Sequence, residues 1–366
     1  MKKMKKFLAV VLTLGLLASA AACSSPSGES SAAPSSGGAS QASSAPSSGG
    51  QKTADFKAAM VTDTGGVNDQ SFNQSSWEGL QSLQKETGAK VRYLESKQAS
   101  DYATNLDKLA DDENNLIWGI GYAMAGAIGN AAKQNPDLQY AIVDNGYDPK
   151  TMPSNVAGVM FRAQEPSFLV GYIAGRVTKT NKVGFVGGQT SAIIDQFQYG
   201  YQAGVDWAAK ELNKKISVSV QYAESFSDSA KGKAIASKMF SDGCDIVFHA
   251  AGGVGVGVIQ AAKEANKYAI GVDRDQAYLA PKNVLTSAMK LAGRAVEMVS
   301  KDAMDGKKIG GKTYEFGLKE KAVGLPENNP NLPKEVYDDA IKLQQKIIDN
   351  EIVPPYNKDT YGKFKA

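Results

Sequence analysis

Apolar and polar positions alternate in blocks along most of the chain. Short runs rich in Val, Ile, Ala and aromatic residues read as strands: KAAMVTD (57–63), KVRYLES (90–96), NLIWGIG (115–121), QYAIVDN (139–145) and NVAGVMF (155–161). Between them, apolar residues recur at helical spacing in SFNQSSWEGLQSLQKETG (71–88), DYATNLDKLADDEN (101–114) and AMAGAIGNAAKQNP (123–136). A second series follows, with strands KVGFVGG (182–188), ISVSVQYAES (216–225), CDIVFHAA (244–251) and YAIGVD (268–273). Its helices are predicted over 191–213, 228–243 and 254–267. Strands alternating with helices form βαβ units, hence a parallel sheet covered on both faces. Two such series predict two doubly wound lobes. The remaining pieces are strand 283–290, helix 291–306, strand 312–325 and helix 333–350. They are too few for a third sheet, so they complete the first two, and the chain crosses between lobes more than once.

The two ends of the precursor region differ from this pattern. MKKMKKFLAVVLTLGLLASAAACSS has four lysines, an apolar run and small residues before Cys23. That is a secretory signal, too short to span a membrane stably. Its small residues before a cysteine resemble a lipobox, with Cys23 as the acylated first residue of a bacterial lipoprotein. Ala20, Ala21 and Ala22 depart from the commoner leucine three places before the cysteine. From Ser24 to about Gln51 the chain is almost wholly Ser, Ala, Gly and Pro, a composition that buries too little apolar surface to fold. It reads as a flexible tether. The expected division is therefore 1–22 signal, 23–54 tether, 55–160 with 286–312 as the N-terminal lobe, and 161–285 with 313–366 as the C-terminal lobe.

Charge changes the picture only by exclusion. The chain has 41 basic and 38 acidic residues, and loss of the four lysines before Cys23 leaves 37 against 38. A near-neutral, mixed surface argues against nucleic acid as partner. With Cys23 lipidated, Cys244 has no internal disulfide partner and reads as an inert thiol.

Ligands of open α/β sheets bind beyond the carboxyl ends of the strands. Asp63, Asp144 and Asp273 stand there, with glycines 119, 121, 187, 188, 252 and 253. Three acids at equivalent strand ends point to a shared ligand. Ser71 and Gln74 fit a capping box for a helix starting at Phe72. The Phe72 ring has two readings, stacking on a flat ligand across the cleft mouth or packing with Leu80 and Leu83. Several enzyme signals fail. GKKIGGKT (306–313) matches the P-loop letters, but a helix precedes it and a strand follows, the reverse of what a P-loop needs. The sole histidine, His249, lies inside a strand and reads as a satisfied buried residue. Nothing pairs a nucleophile with a base, no metal-ligand spacing occurs, and no cofactor is expected.

Three stretches carry a family likeness: DTGGVNDQSFNQSSWEGL (63–80), FHAAGGVGVGVIQAAKE (248–264) and AIGVDRDQAYLAPKNVLTSAMK (269–290). In this order and spacing they resemble the basic membrane protein family of bacterial lipoproteins, the purine-nucleoside receptor type, over about Phe56 to Ile352. The resemblance implies the type I periplasmic-binding-protein fold, two Rossmann-like lobes joined by three crossovers with the ligand cleft between them. It implies a monomer, anchored at the extracellular face of the cell membrane through Cys23, that delivers nucleosides to an ABC importer and its permease. By the same resemblance Asp63 and Asn73 are polar contacts from the first lobe, and Phe72 is a base-stacking aromatic. Asp144 matches an acid ending the fourth strand. Asp273 resembles the acid that holds ribose hydroxyls, with Lys290 the basic position near it. Phe197 is a candidate second stacking ring, although it also sits on the apolar stripe Ile194, Phe197, Tyr201, Val205. Gly253 would let the backbone approach the sugar. The rival readings are a receptor of this fold for another small polar ligand, and a surface sensor or adhesin. A nucleoside hydrolase is a more distant one.

Overall fold

The computed structural model describes residues 55–366. The signal, Cys23 and the whole of the tether lie outside the described residues. The described chain builds two six-stranded sheets within one compact unit.

The first sheet contains β1 (Lys57–Val61), β2 (Lys90–Leu94), β3 (Leu116–Ile120), β4 (Gln139–Val143) and β5 (Val156–Phe161), with β11 (Lys312–Phe316) at its edge. Its order is β11-β5-β4-β3-β1-β2, all parallel. The second contains β6 (Lys182–Gly187), β7 (Ser217–Tyr222), β8 (Ile246–Ala250), β9 (Tyr268–Asp273) and β10 (Val284–Lys290), with the short β12 (Val323–Gly324) antiparallel at its edge. Its order, β12-β10-β9-β8-β6-β7, repeats the first sheet strand for strand. Central strands such as β3 and β8 are buried throughout, because helices cover both faces of a parallel sheet. The edge strand β2 leaves most of its residues partly or fully exposed.

The helices between the strands are α1 (Phe72–Thr87), α2 (Asp101–Asp111), α3 (Ala125–Gln134), α4 (Gln164–Val177), α5 (Ala192–Glu211), α6 (Ser229–Ser241) and α7 (Val254–Ala265). Three more follow: α8 (Ala292–Met304), α9 (Lys334–Ile348) and α10 (Lys358–Lys363).

Two of these helices leave their own sheet. After β5 the chain enters α4, which packs on α5, the first helix of the second sheet. After β10 it enters α8, which packs on α1, the first helix of the first sheet. Both pairs approach through glycines. A Cβ on Gly204 of α5 would stand 2.0 Å from the Phe168 carbonyl oxygen of α4, and one on Gly79 of α1 would stand 2.1 Å from the Gly293 carbonyl oxygen of α8. The Trp118 indole of β3 donates to the Ser300 hydroxyl of α8, tying that helix to the first sheet.

This exchange corrects the expected lobe boundaries. Residues 286–290, assigned to the N-terminal lobe, belong to β10 and pair with β9 of the second sheet. Residues 313–316, assigned to the C-terminal lobe, belong to β11 and pair with β5 of the first. The single strand expected over 312–325 is two strands on different sheets, separated by a turn at Leu318–Ala322. The chain passes between sheets three times, after β5, after β10 and after β11.

Candidate functional site

The carboxyl ends of both sheets border one cavity, placed where ligands of open α/β sheets bind. Asp63, Phe72, Asn73 and Asp144 of the first sheet's side line it, with Phe197, Asp273 and Lys290 from the second.

The loop from β1 to α1 builds one wall. Asp69 Oδ1 accepts from the backbone N–H of Ser71 (2.9 Å) and Gln74 (3.1 Å), and its Oδ2 accepts from the N–H of Asn73 (2.8 Å). One carboxylate thus satisfies three donors at the start of α1, whose first turn has no intrahelical acceptors. The expected capping box is not formed: Ser71 makes no side-chain cap bond. With Asp69 in that role the Ser71 hydroxyl is free to donate to Asp273 Oδ2, at the end of β9.

Asn73 is spent on the acids. Its Nδ2 donates to Asp63 Oδ1 (2.8 Å) and Asp69 Oδ2 (3.0 Å), and its Oδ1 accepts from the Asp63 N–H (3.3 Å). Asp63 Oδ1 also accepts from the Gly65 N–H, while its Oδ2 turns toward Gly121. Gly121 has φ +114°, and a Cβ there would stand 3.3 Å from Asp63 Oδ2 and 3.7 Å from the Phe72 ring. A side chain at 121 would therefore occupy the cavity.

Lys290 is the centre of the site. It ends β10, is 3% exposed, and its Nζ lies 2.6 Å from Asp144 Oδ2 and 3.9 Å from Asp273 Oδ1. The same ammonium stands 4.3 Å from the centroid of Phe72 and 5.6 Å from those of Phe161 and Phe197, within cation–π range. Asp144 and Asp273 follow or end the fourth strand of their respective sheets, and both adopt positive φ, +63° and +64°. Left-handed backbone is uncommon outside glycine and costs free energy that functional sites tolerate.

Burial sets the charge state. It pushes the Asp63 carboxyl up to about 6, against the hydrogen bonds from Asn73 and Gly65 that favour ionisation. Burial also raises Asp273 to about 6, with the Lys290 charge and the Ser71 hydroxyl opposing. Asp69 is raised by burial too, despite its backbone donors.

Phe72 is half-buried with its ring at the cavity, whereas Phe197 is nearly fully buried and presents one side to it. Gly253 does not line the cavity. The wall there is Ala250, Ala251 and Gly252, and the positive φ (+55°) belongs to Gly252. Gly253 instead precedes α7, under the Phe226 carbonyl. Sequence reasoning also missed Asp69, Tyr122 and Phe226, which line the site. Each had a signal: an acid two places before the helix cap, and single aromatics in the turns after β3 and β7.

Direct bonds close one margin of the cleft. Gln276 Nε2 donates to the Gln70 carbonyl (3.0 Å), the Tyr278 hydroxyl reaches Gln70 Oε1 (2.7 Å), and Arg274 pairs with Glu78 (3.0 Å). Gln276 Oε1 accepts from the Val272 N–H and from His249 Nε2. His249 is neutral, its pKa lowered to about 4 by burial, so Nε2 carries the proton. Its Nδ1 has no partner among the described residues.

Known proteins resemble this chain over most of its length. Residues 56–358 match the family model for Bmp, ABC transporter substrate-binding protein PnrA-like. Basic membrane protein A of Borreliella afzelii is 44% identical over 311 residues, 84% of this chain and 94% of the relative. A protein of Lactococcus lactis subsp. cremoris called ABC transporter nucleoside-binding protein BmpA is 42% identical over 322 residues, 82% of this chain and 89% of the relative. An ABC transporter system solute-binding protein from Aeropyrum pernix K1 superposes with a TM-score of 0.76 at 26% identity, covering 84% of this chain and 96% of that one. The architecture is the type I periplasmic-binding-protein fold.

Removing one member of a buried ion pair leaves the other uncompensated and costs about 3–5 kcal/mol. Lys290→Met should therefore lower the urea midpoint of the ligand-free protein at pH 7. The loss should shrink toward pH 5, as Asp273, raised to about 6 by burial, takes up a proton and loses the charge that Lys290 offsets. An unchanged midpoint at pH 7 would show that the pair carries no such weight.

Proposed function

Because the chain belongs to the Bmp family of PnrA-like ABC transporter substrate-binding proteins, we propose that it captures a nucleoside, a purine one, and hands it to the permease of an importer. The observation that carries this is the composition of the cavity wall: aromatic rings (Phe72, Phe197, Phe226) beside buried carboxylates in one cavity. A purine offers two apolar faces and a polar edge, which suit aromatic walls and a few acceptors. Ribose offers neighbouring hydroxyl donors, and an ionised carboxylate has only acceptors. Asp273 takes the ribose, and the base extends between the rings toward Asp63. The name of the Lactococcus relative supports a nucleoside as ligand. Asn73, whose donors are used on Asp63 and Asp69, acts by holding those acids in place.

The protein is further proposed to be a lipoprotein held on the outer face of the cell membrane through Cys23, acting as a monomer. Cys23→Ser should then release it to the medium or leave the leader attached. Wild-type processing and membrane extraction of that variant would remove the anchor from this reading.

The cavity carries four acids, Asp63, Asp69, Asp144 and Asp273, and Lys290 as the cation among its lining residues. A phosphate about 4 Å from one carboxylate meets roughly 4 kcal/mol of repulsion at a surface-like dielectric. Titration calorimetry with inosine, guanosine and adenosine, and with their 5′-monophosphates, tests the reading. The preferred nucleoside should bind at least about a hundredfold more tightly than its monophosphate. Equal affinities would show that the acids do not face the ligand, and no binding of any nucleoside would overturn the proposal.

Affinity should also depend on pH. Asp63 and Asp273 hold their protons below about 6, and hydroxyl donors bind the ionised form. Binding is therefore complete above that value and weakens as pH falls through it, by about tenfold per unit for each carboxylate that must ionise. A dissociation constant unchanged from pH 7 to pH 5 would mean that neither acid accepts a ligand proton.

A further inference from the structure

A second chamber adjoins the ligand cavity. The two share Asp63, Gly121, Tyr122 and Phe226, whereas Asp144, Asp273 and Lys290 border only the first. The second chamber therefore leaves the first past Asp63, away from the ion cluster. Thr64, Tyr102 and Gln189 line it, and its rim carries Ala99 and Ala123, both exposed.

Three features of this chamber limit what it can hold. Asp63 is the one charged group on its wall, and the other side-chain polar groups are hydroxyls and an amide, each able to donate and to accept. The rings of Tyr102, Tyr122 and Phe226 add apolar surface. Gly121 lines both chambers, and a Cβ there would crowd the Asp63 carboxylate and the Phe72 ring.

We propose that this chamber receives a neutral, hydrogen-bonding substituent on the edge of the base, so that the protein takes base-substituted nucleosides as well as the parent compounds. This rests on the nucleoside reading above, with ribose at Asp273 and the far edge of the base at Asp63. The second chamber gives a substituent on the base edge a place beyond Asp63. A hydroxyl or amide finds partners there and alkyl carbons lie against the tyrosine rings. A carboxylate meets Asp63 without a cation to offset it, since Lys290 is on the other side and already paired with Asp144.

The test is calorimetry with two derivatives of whichever parent binds, adenosine substituted on N6 or guanosine on N2. One carries a hydroxyethyl group and the other a carboxymethyl group. The wild-type protein should bind the hydroxyethyl compound within about threefold of the parent, and the carboxymethyl compound at least about tenfold more weakly. Ala123→Trp and Ala99→Trp, at exposed positions that touch only the outer chamber, should leave the parent within about twofold. At least one of them should weaken the hydroxyethyl compound by about tenfold or more. A parent that binds while its hydroxyethyl derivative is refused overturns the chamber alone. Equal affinity for the two derivatives also overturns it, because the substituent then lies in bulk water. So does unchanged binding of the hydroxyethyl compound in both tryptophan variants. Failure of every nucleoside to bind overturns the nucleoside reading and the chamber with it.

Discussion

The closed cleft depends on a buried lysine that belongs to one sheet and pairs with the other. Lys290 ends β10 in the second sheet, and its 2.6 Å partner Asp144 follows β4 in the first. Removing an ammonium and a carboxylate from water costs several kcal/mol each, and only close geometry and further partners offset it. Those partners are present. Asp273 stands 3.9 Å away on the second side, and three phenylalanine rings turn toward the ammonium. If the lobes part, Lys290 and Asp144 separate with them. The pair therefore favours a defined closed geometry more than it adds net stability. It also leaves Asp144 half-occupied by Lys290, so the freer acceptors in the cavity are Asp63 and Asp273.

The free site is costly by construction. Asp144 and Asp273 hold positive φ, and Asp63 and Asp273 keep their protons up to about 6 instead of the usual value near 4. An acid whose folded pKa is raised makes folding less favourable as pH rises through the interval between the two values, and this cost is fully present at neutral pH. A ligand that donates hydrogen bonds to those carboxylates removes part of that cost. Burial that weakens the empty protein would thus also strengthen its hold on a hydroxyl donor, because each bond would form in a medium less polar than water.

Much of this was readable from residue order. Buried parallel strands read as continuous apolar runs, so β1 to β10 stood out, as did every helix between them except α4. Asp63, Asp144 and Asp273 were legible because acids at the ends of such strands face the only side where a cleft opens. Partners distant in sequence were not legible. Nothing in the local pattern of 283–290 or 312–325 says which sheet edge a strand joins, and the exchange of α4 and α8 depends on glycine contacts formed only in the folded chain. Choices between neighbours were missed for the same reason. Asp69 caps α1 in place of Ser71 because three N–H groups converge on one carboxylate. Gly252 lines the cavity in place of Gly253 because the positive φ falls one residue earlier.

The two margins of the cleft are built differently, and that asymmetry bears on how a ligand enters. One margin is crossed by the bonds of Gln276, Tyr278 and Arg274 to Gln70 and Glu78, and Gln276 is itself held by His249 and the Val272 N–H. The partly exposed Arg274–Glu78 pair contributes at most about 1 kcal/mol. The buried Gln276 amide is more demanding: opening the cleft takes away its Gln70 acceptor, and water must replace it. The opposite margin has the second chamber, rimmed by the small, exposed Ala99 and Ala123. Closure over a ligand is thus firm on the side of Asp273 and permissive on the side of Asp63. In the proposed pose, the sugar end of a nucleoside meets the firm margin and the base edge meets the permissive one.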